Sequence, residues 1–216
     1  MGDARIYVNF IFDSREVPFE DSISFFESEE GLNYFQETDS SYQLSGNLYG
    51  TFSHQEEPLS APLDNYENII FRTPCYNYIP PEEGPDRLRN LRQFISCLYQ
   101  EFKPVYVYGI NNWRIDAWQE GRPKYKISPP INDERLANNR IEHPTWLMLF
   151  PPEMVEEYGR EWLLDLPVET STELDDGTIL LIATESLPGC ETDMEVVELI
   201  DDTMTPIEEA FEQREL

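Results

Sequence analysis

The sequence predicts a single α+β domain, with a mixed, mainly antiparallel sheet of about five or six strands covered on one face by helices. Three observations predict it. Trp146 to Phe150 is a continuous apolar run, short enough for a buried strand, and Pro151-Pro152 closes it. Asp175-Asp176-Gly177 stands between the apolar segments 168–174 and 178–183, and Asp-Gly in that setting signals a hairpin. Leu88, Leu91, Ile95, Leu98 and Phe102 fall on one helical stripe, and a strand-like run from Val105 to Ile110 follows directly.

Taken in order, residues 5–13 alternate, with Ile6, Val8, Phe10 and Phe12 on one side and Tyr7, Asn9 and Ile11 on the other. Both sides are largely apolar, which suits a central strand. Phe19, Ile23 and Phe26 are at helical spacing, so a short amphipathic helix is expected over 21–34. Residues 38–62 are rich in Ser, Gln, Gly and Pro and read as a loop with one short strand at 47–52. Residues 66–72 are a further strand. The prolines of 73–85 exclude regular structure, and Asp86 then caps a helix over 86–102 that Pro104 ends. Residues 119–142 are polar and read as a long excursion, with Arg122, Lys124, Lys126, Arg135 and Arg140. A second helical segment covers 152–164: Pro152 suits its first position, and Gly159 suits a left-handed C-cap before the turn of Arg160 to Leu164. Thr205-Pro206-Ile207-Glu208 has the pattern of a capping box and starts a short helix ending near Arg214. The domain is therefore read as residues 1–200, with 201–216 an acidic C-terminal tail carrying that helix. There are no internal repeats or heptads.

The chain has 216 residues, 40% of them hydrophobic and 13% aromatic, enough for a core despite a net charge of −28. No apolar stretch is long enough for a membrane span, and the N-terminus does not read as a secretory signal or a myristoylation site. Cys75, Cys97 and Cys190 lie far apart with no CxxC spacing, so neither a disulfide framework nor a zinc site is indicated. A cytoplasmic location suits this pattern. Only Lys103, Lys124 and Lys126 are lysines, against 43 Asp and Glu, with a pI near 4.1. That composition suits concentrated salt, because the Debye length falls from about 10 Å at 0.1 M to about 3 Å at 1 M and self-repulsion fades. A basic partner is the alternative explanation. The charge is uneven: residues 1–71 carry 14 acids and 2 bases, 72–140 carry 8 and 11, and 141–216 carry 21 and 2.

No phosphate loop and no nucleophile elbow occur, and no cofactor is indicated. Glu153, Glu156, Glu157 and Glu161 could pair for acid–base work or metal binding, but a solvated helix face explains them as well. The Asp175-Asp176-Gly177 turn lacks the distal ligands of a calcium loop. Any Ser-His or Cys-His site would have to use His54 or His143, and nothing marks an orienting third group for either. Trp113, Arg114, Trp118 and Tyr125 interleave aromatic and basic groups, so they are the candidate partner-binding residues. The net charge disfavours nucleic acid as that partner.

The segment from Thr145 to Leu187 resembles immunity proteins of polymorphic-toxin systems, most closely the immunity protein fifty-two type. Trp146, Phe150, Pro152, Val155, Gly159, Leu163, Pro167, Gly177, Thr184 and Glu185 carry the resemblance, over roughly a fifth of the chain. It implies an inhibitor that binds a toxin, often a nuclease, and blocks its cleft.

The resulting expectation is a non-enzymatic, halophilic, cytoplasmic protein-binding domain, with toxin neutralisation as its specific form. The alternatives are an enzyme or nucleotide-binding protein using scattered carboxylates, and a structural or viral accessory protein. If the acidity serves high salt, lowering KCl from molar to about 0.1 M will abolish the folded circular dichroism signal. Unchanged spectra would assign the acidity to a partner.

Overall fold

Strand β1 (Arg5–Asp13) lies between β5 (Tyr66–Pro74) and β6 (Tyr106–Asn111), antiparallel to both. Beyond β5 come β4 (Leu48–His54), β3 (Ser41–Leu44) and β2 (Phe35–Thr38). Beyond β6 come β7 (Leu147–Phe150), β9 (Ile179–Ile182) and β8 (Thr170–Glu173). This computed structural model describes residues 5–14, 35–38, 41–44, 48–54, 63–74, 84–111, 130–184 and 194–215. Its helices are α1 (Gly84–Phe102), α2 (Asp133–Ala137), α3 (Pro152–Tyr158), α4 (Arg160–Leu164) and α5 (Met194–Glu215). The architecture is α+β, as the sequence indicates.

Strand pairing defines the two faces of the sheet. Phe10 stands opposite Val107, Val107 opposite Leu149, and Leu149 opposite Leu180, so these four share a face. Phe94 of α1 packs on this face, 6.1 Å from the Phe10 ring and 4.6 Å from that of Phe71. Tyr106, Tyr108, Met148 and Phe150 occupy the opposite face. There Tyr158 of α3 and Phe211 of α5 meet the Phe150 ring at 5.5 and 6.5 Å.

The sheet therefore differs from the expected one in three particulars. Helices cover both faces, because β1, β7 and β9 are apolar on both sides and each side must be removed from water. Among the described residues the sheet has nine strands, because residues 35–54 supply three of them where a loop with one strand was expected. Among the described residues every strand pairing is antiparallel, where a mixed, mainly antiparallel sheet was expected. The Ser and Gln content of 35–54 hides strands whose pairing comes from the backbone. The helix expected over 21–34 lies outside the described residues.

The α3–α4 segment follows the sequence closely. Pro152 opens α3, and Gly159, at φ +86°, ends it and donates its N–H to the Val155 carbonyl at 2.8 Å. α4 then starts directly. The C-terminal helix departs from expectation. It begins at Met194, and Pro206 lies inside it. Met204, Ile207 and Phe211 form one buried stripe that crosses the proline. Their burial outweighs the lost backbone bond, at about 1.5–3 kcal/mol per large apolar side chain against roughly 3 for an interior proline.

One glycine is required by contact. Gly109 of β6 lies under Trp146, and a Cβ there would sit 2.7 Å from the indole ring and 2.9 Å from Leu147 Cβ. Both neighbours are buried and Leu147 is held in a strand, so neither moves freely. Gly109→Ala is expected to lower the unfolding free energy by about 1–3 kcal/mol, read as a fall in the urea midpoint at constant slope.

Candidate interaction surface

The outer layer on the Phe150 face is made by α3, α4 and α5, which hold one another through aromatic rings. Tyr158 stacks on Trp162 at 5.7 Å, and Phe211 meets Tyr158 at 5.6 Å and Trp162 at 4.9 Å. Arg214 closes the cluster, with its guanidinium 4.7 Å from the Trp162 ring and Nη2 donating to the Glu157 carbonyl at 3.4 Å. With the apolar stripes turned inward, Glu153, Glu156, Glu161, Asp202, Glu209 and Glu212 are left exposed. α5, distant in sequence, thus adds its carboxylates to those of the adjoining α3 and α4.

A groove of about 660 Å³ adjoins this layer, lined by Glu134, Arg135, Asn138, Arg140, Glu142 and Glu157. α2 positions its far wall. Asn132 caps that helix by accepting the Arg135 N–H at 2.8 Å. Asp133 accepts the N–H groups of Asp64 and Asn65 at 2.9 and 2.8 Å, which ties α2 to the start of β5. Burial alone would raise the Asp133 carboxyl, but these bonds outweigh it and hold it below the usual range. Asn139, at φ +56°, turns the chain back, and Ile141 donates its N–H to the Tyr158 hydroxyl at 3.0 Å. Arg140 then reaches across to Glu157, with Nε at 2.7 Å and Nη2 also bonded. The Glu157 carboxylate raises the Arg140 guanidinium. Arg135 pairs with Glu142 at 3.3 Å, and Asn132 also donates to Glu142. The part of 119–142 that is described is therefore a packed segment, with Ile131, Leu136 and Ile141 buried, where an excursion was expected. Asn132 followed by Asp133 and Glu134 is the helix-start signal that could have revealed it.

The hairpin turn is tied to α1. Asp176 accepts bonds from Lys103 Nζ at 2.7 Å, the Tyr99 hydroxyl at 3.0 Å and the Thr178 N–H at 3.1 Å. Thr178 Oγ1 donates to the Tyr99 hydroxyl at 2.5 Å, and Lys103 lies 4.4 Å from the Tyr99 ring. Burial would raise the Asp176 carboxyl, but these donors outweigh it and hold it well below the usual carboxylate range. Burial also pushes the Tyr99 hydroxyl up to about 12. The turn is a hairpin, and its aspartate anchors a helix end. On the far side, Arg160 donates to both oxygens of Glu173 on the outermost strand β8, at 2.8 and 2.5 Å.

The four partner-binding candidates, Trp113, Arg114, Trp118 and Tyr125, lie outside the described residues. Glu153, Glu156 and Glu161 are exposed on the helical layer, while Glu157 is engaged with Arg140. His143 is 4% exposed, with Nδ1 3.3 Å from the Pro144 carbonyl. Cys97 is half-buried in α1, and burial raises its thiol. Among the described residues, no three His, Cys, Asp or Glu side chains are grouped to hold a metal, and no helix is long and apolar enough to cross a membrane.

No protein-family model and no curated protein match the chain. Among solved structures, it is similar to the Pseudomonas aeruginosa T6SS protein PA0821, at 12% identity and a TM-score of 0.46 over 94% of this chain and 73% of that one. A likeness at that level does not establish a shared fold.

The depressed Asp176 carboxyl stabilises the fold above the ordinary carboxylate pKa of 3.8, and this contribution is lost as pH falls through the lower folded value. Asp176→Asn is expected to be less stable than the parent at pH 7 by at most about 1 kcal/mol, since the pair is partly exposed. Urea titrations repeated below pH 4 should show the difference shrinking.

Proposed function

We propose that this chain is a non-enzymatic protein-binding domain that engages a basic protein through the outer side of α3, α4 and α5, and that the partner is a toxin it neutralises. The supporting observation is the helical layer itself. An aromatic cluster holds the three helices together, and Glu153, Glu156, Glu161, Asp202, Glu209 and Glu212 stand exposed on it. Such a surface steers a basic partner during approach, and the effect weakens as salt screens it. The resemblance of the Trp146 to Glu185 residues to immunity proteins supports the toxin as the particular partner. The excess of carboxylates over lysines supports a working place in a salt-rich cytoplasm.

The test is co-expression with the toxin domain of a toxin-like gene found next to its own, paired with binding measurements at the lowest KCl that keeps the native circular dichroism. Growth should be restored, and a variant carrying Glu156→Lys, Glu161→Lys, Glu209→Lys and Glu212→Lys should bind at least tenfold more weakly, mostly through slower association. Native-like spectra with unchanged affinity in that variant would remove the helical layer as the binding surface. Failure to restore growth would remove the toxin.

A further inference from the structure

Asn9 and Asn68 are buried amides at the centre of the sheet, 0% and 1% exposed. Asn68 Nδ2 donates to Asn9 Oδ1 at 2.9 Å. In the β1–β5 register Asn9 stands opposite Ile70 and Ile11 opposite Asn68, so the two amides meet on the diagonal of one face. On the other side of β1, Asn9 stands opposite Tyr108, whose hydroxyl faces the Asn68 side chain. Among the described residues Asn9 Nδ2 has no hydrogen-bond partner, and Asn68 Oδ1 has at most the Tyr108 hydroxyl. A half-satisfied buried amide pair costs more than two well-packed leucines. Its position therefore calls for a purpose other than stability.

The strands show what that purpose is. β1 is apolar on both faces, and β5 beside it has Ile69 and Phe71 on one face and Ile70 on the other. Hydrophobic pattern alone does not decide which side of β1 faces α1, because a one-residue slip exchanges one apolar set for another. Asn9 breaks that degeneracy. After such a slip it would lie on the α1 side, opposite Ile69 or Phe71, with Glu67 or Thr73 in place of Asn68 on the diagonal. Asn68 would lose its partner at the same time. We infer that the Asn9–Asn68 pair is a register lock that holds β1 in one pairing with β5 and excludes the face-exchanged alternative.

The experiment compares Asn9→Leu, Asn68→Leu and the double variant in molar KCl. Each single variant leaves one buried amide without its partner and should lower the thermal midpoint by about 3–10 °C. The double variant should recover the parent midpoint or exceed it. Its amide spectrum should show a second set of cross-peaks for β1 and β5, and the cross-strand Hα contact between positions 11 and 68 should weaken by at least a third. A stable double variant with one set of peaks and the parent cross-strand contacts would overturn the inference. So would single variants as stable as the parent, or a double variant that does not fold.

Discussion

Burial of β1 on both sides is the constraint from which the other layers follow. Ile6, Val8 and Phe10 on one face and Tyr7 and Ile11 on the other are all nearly or wholly removed from water. At about 1.5–3 kcal/mol for each large apolar side chain, neither face could be left wet. One helix, α1, crosses the first face and brings Phe94 onto Phe10 and Phe71. On the second face, Tyr158 of α3 and Phe211 of α5 pack on Phe150 of β7. β1 also makes the N-terminal and C-terminal halves of the sheet a single unit, since β5 and β6 are both its neighbours.

The same helical layer links packing to charge. α3 and α4 are short and would be marginal alone, because the first turn of an isolated helix is unfavourable. They persist because each turn carries an aromatic or aliphatic anchor into the core: Met154, Val155 and Tyr158 in α3, Leu163 in α4. The exposed positions of these two helices are Glu153, Glu156, Glu157 and Glu161, with Arg160 beside them. The density of charge on the outside is thus set by how completely the apolar residues are used on the inside. Arg140 and Arg160 pin this layer to its surroundings through Glu157 and Glu173, and Arg214 joins α5 to α4 within it through the Trp162 ring.

Legibility followed the physics of each element. β1, β7, α1, the Gly159 break and the Asp175 to Gly177 hairpin were readable because period, proline, glycine and turn chemistry agreed there. β2, β3 and β4 were not, since their Ser, Gln and Tyr residues have no two-sided apolar pattern and their pairing is a backbone matter. α5 was read as too short because Pro206 looks like a beginning, whereas the stripe of Met204, Ile207 and Phe211 carries the helix through it. Of the candidate surface, the acidic residues of α3 could be seen one helix at a time. Their gathering with those of α5 depends on Phe211 meeting Tyr158 and Trp162, a contact between residues about fifty apart that no local pattern encodes.

The Arg160–Glu173 pair has a further consequence at the margin of the sheet. Among the described strands β8 ends the sheet with four residues, Thr170 to Glu173, and an edge strand's outer backbone groups are an invitation for another copy to zip on. In dilute buffer the strong like charge of two such molecules keeps them apart, but brine removes that barrier. A short, polar strand braced by a guanidinium clasp offers little for a second copy to extend, so this edge is guarded against fibre-like stacking even when salt screens the charge.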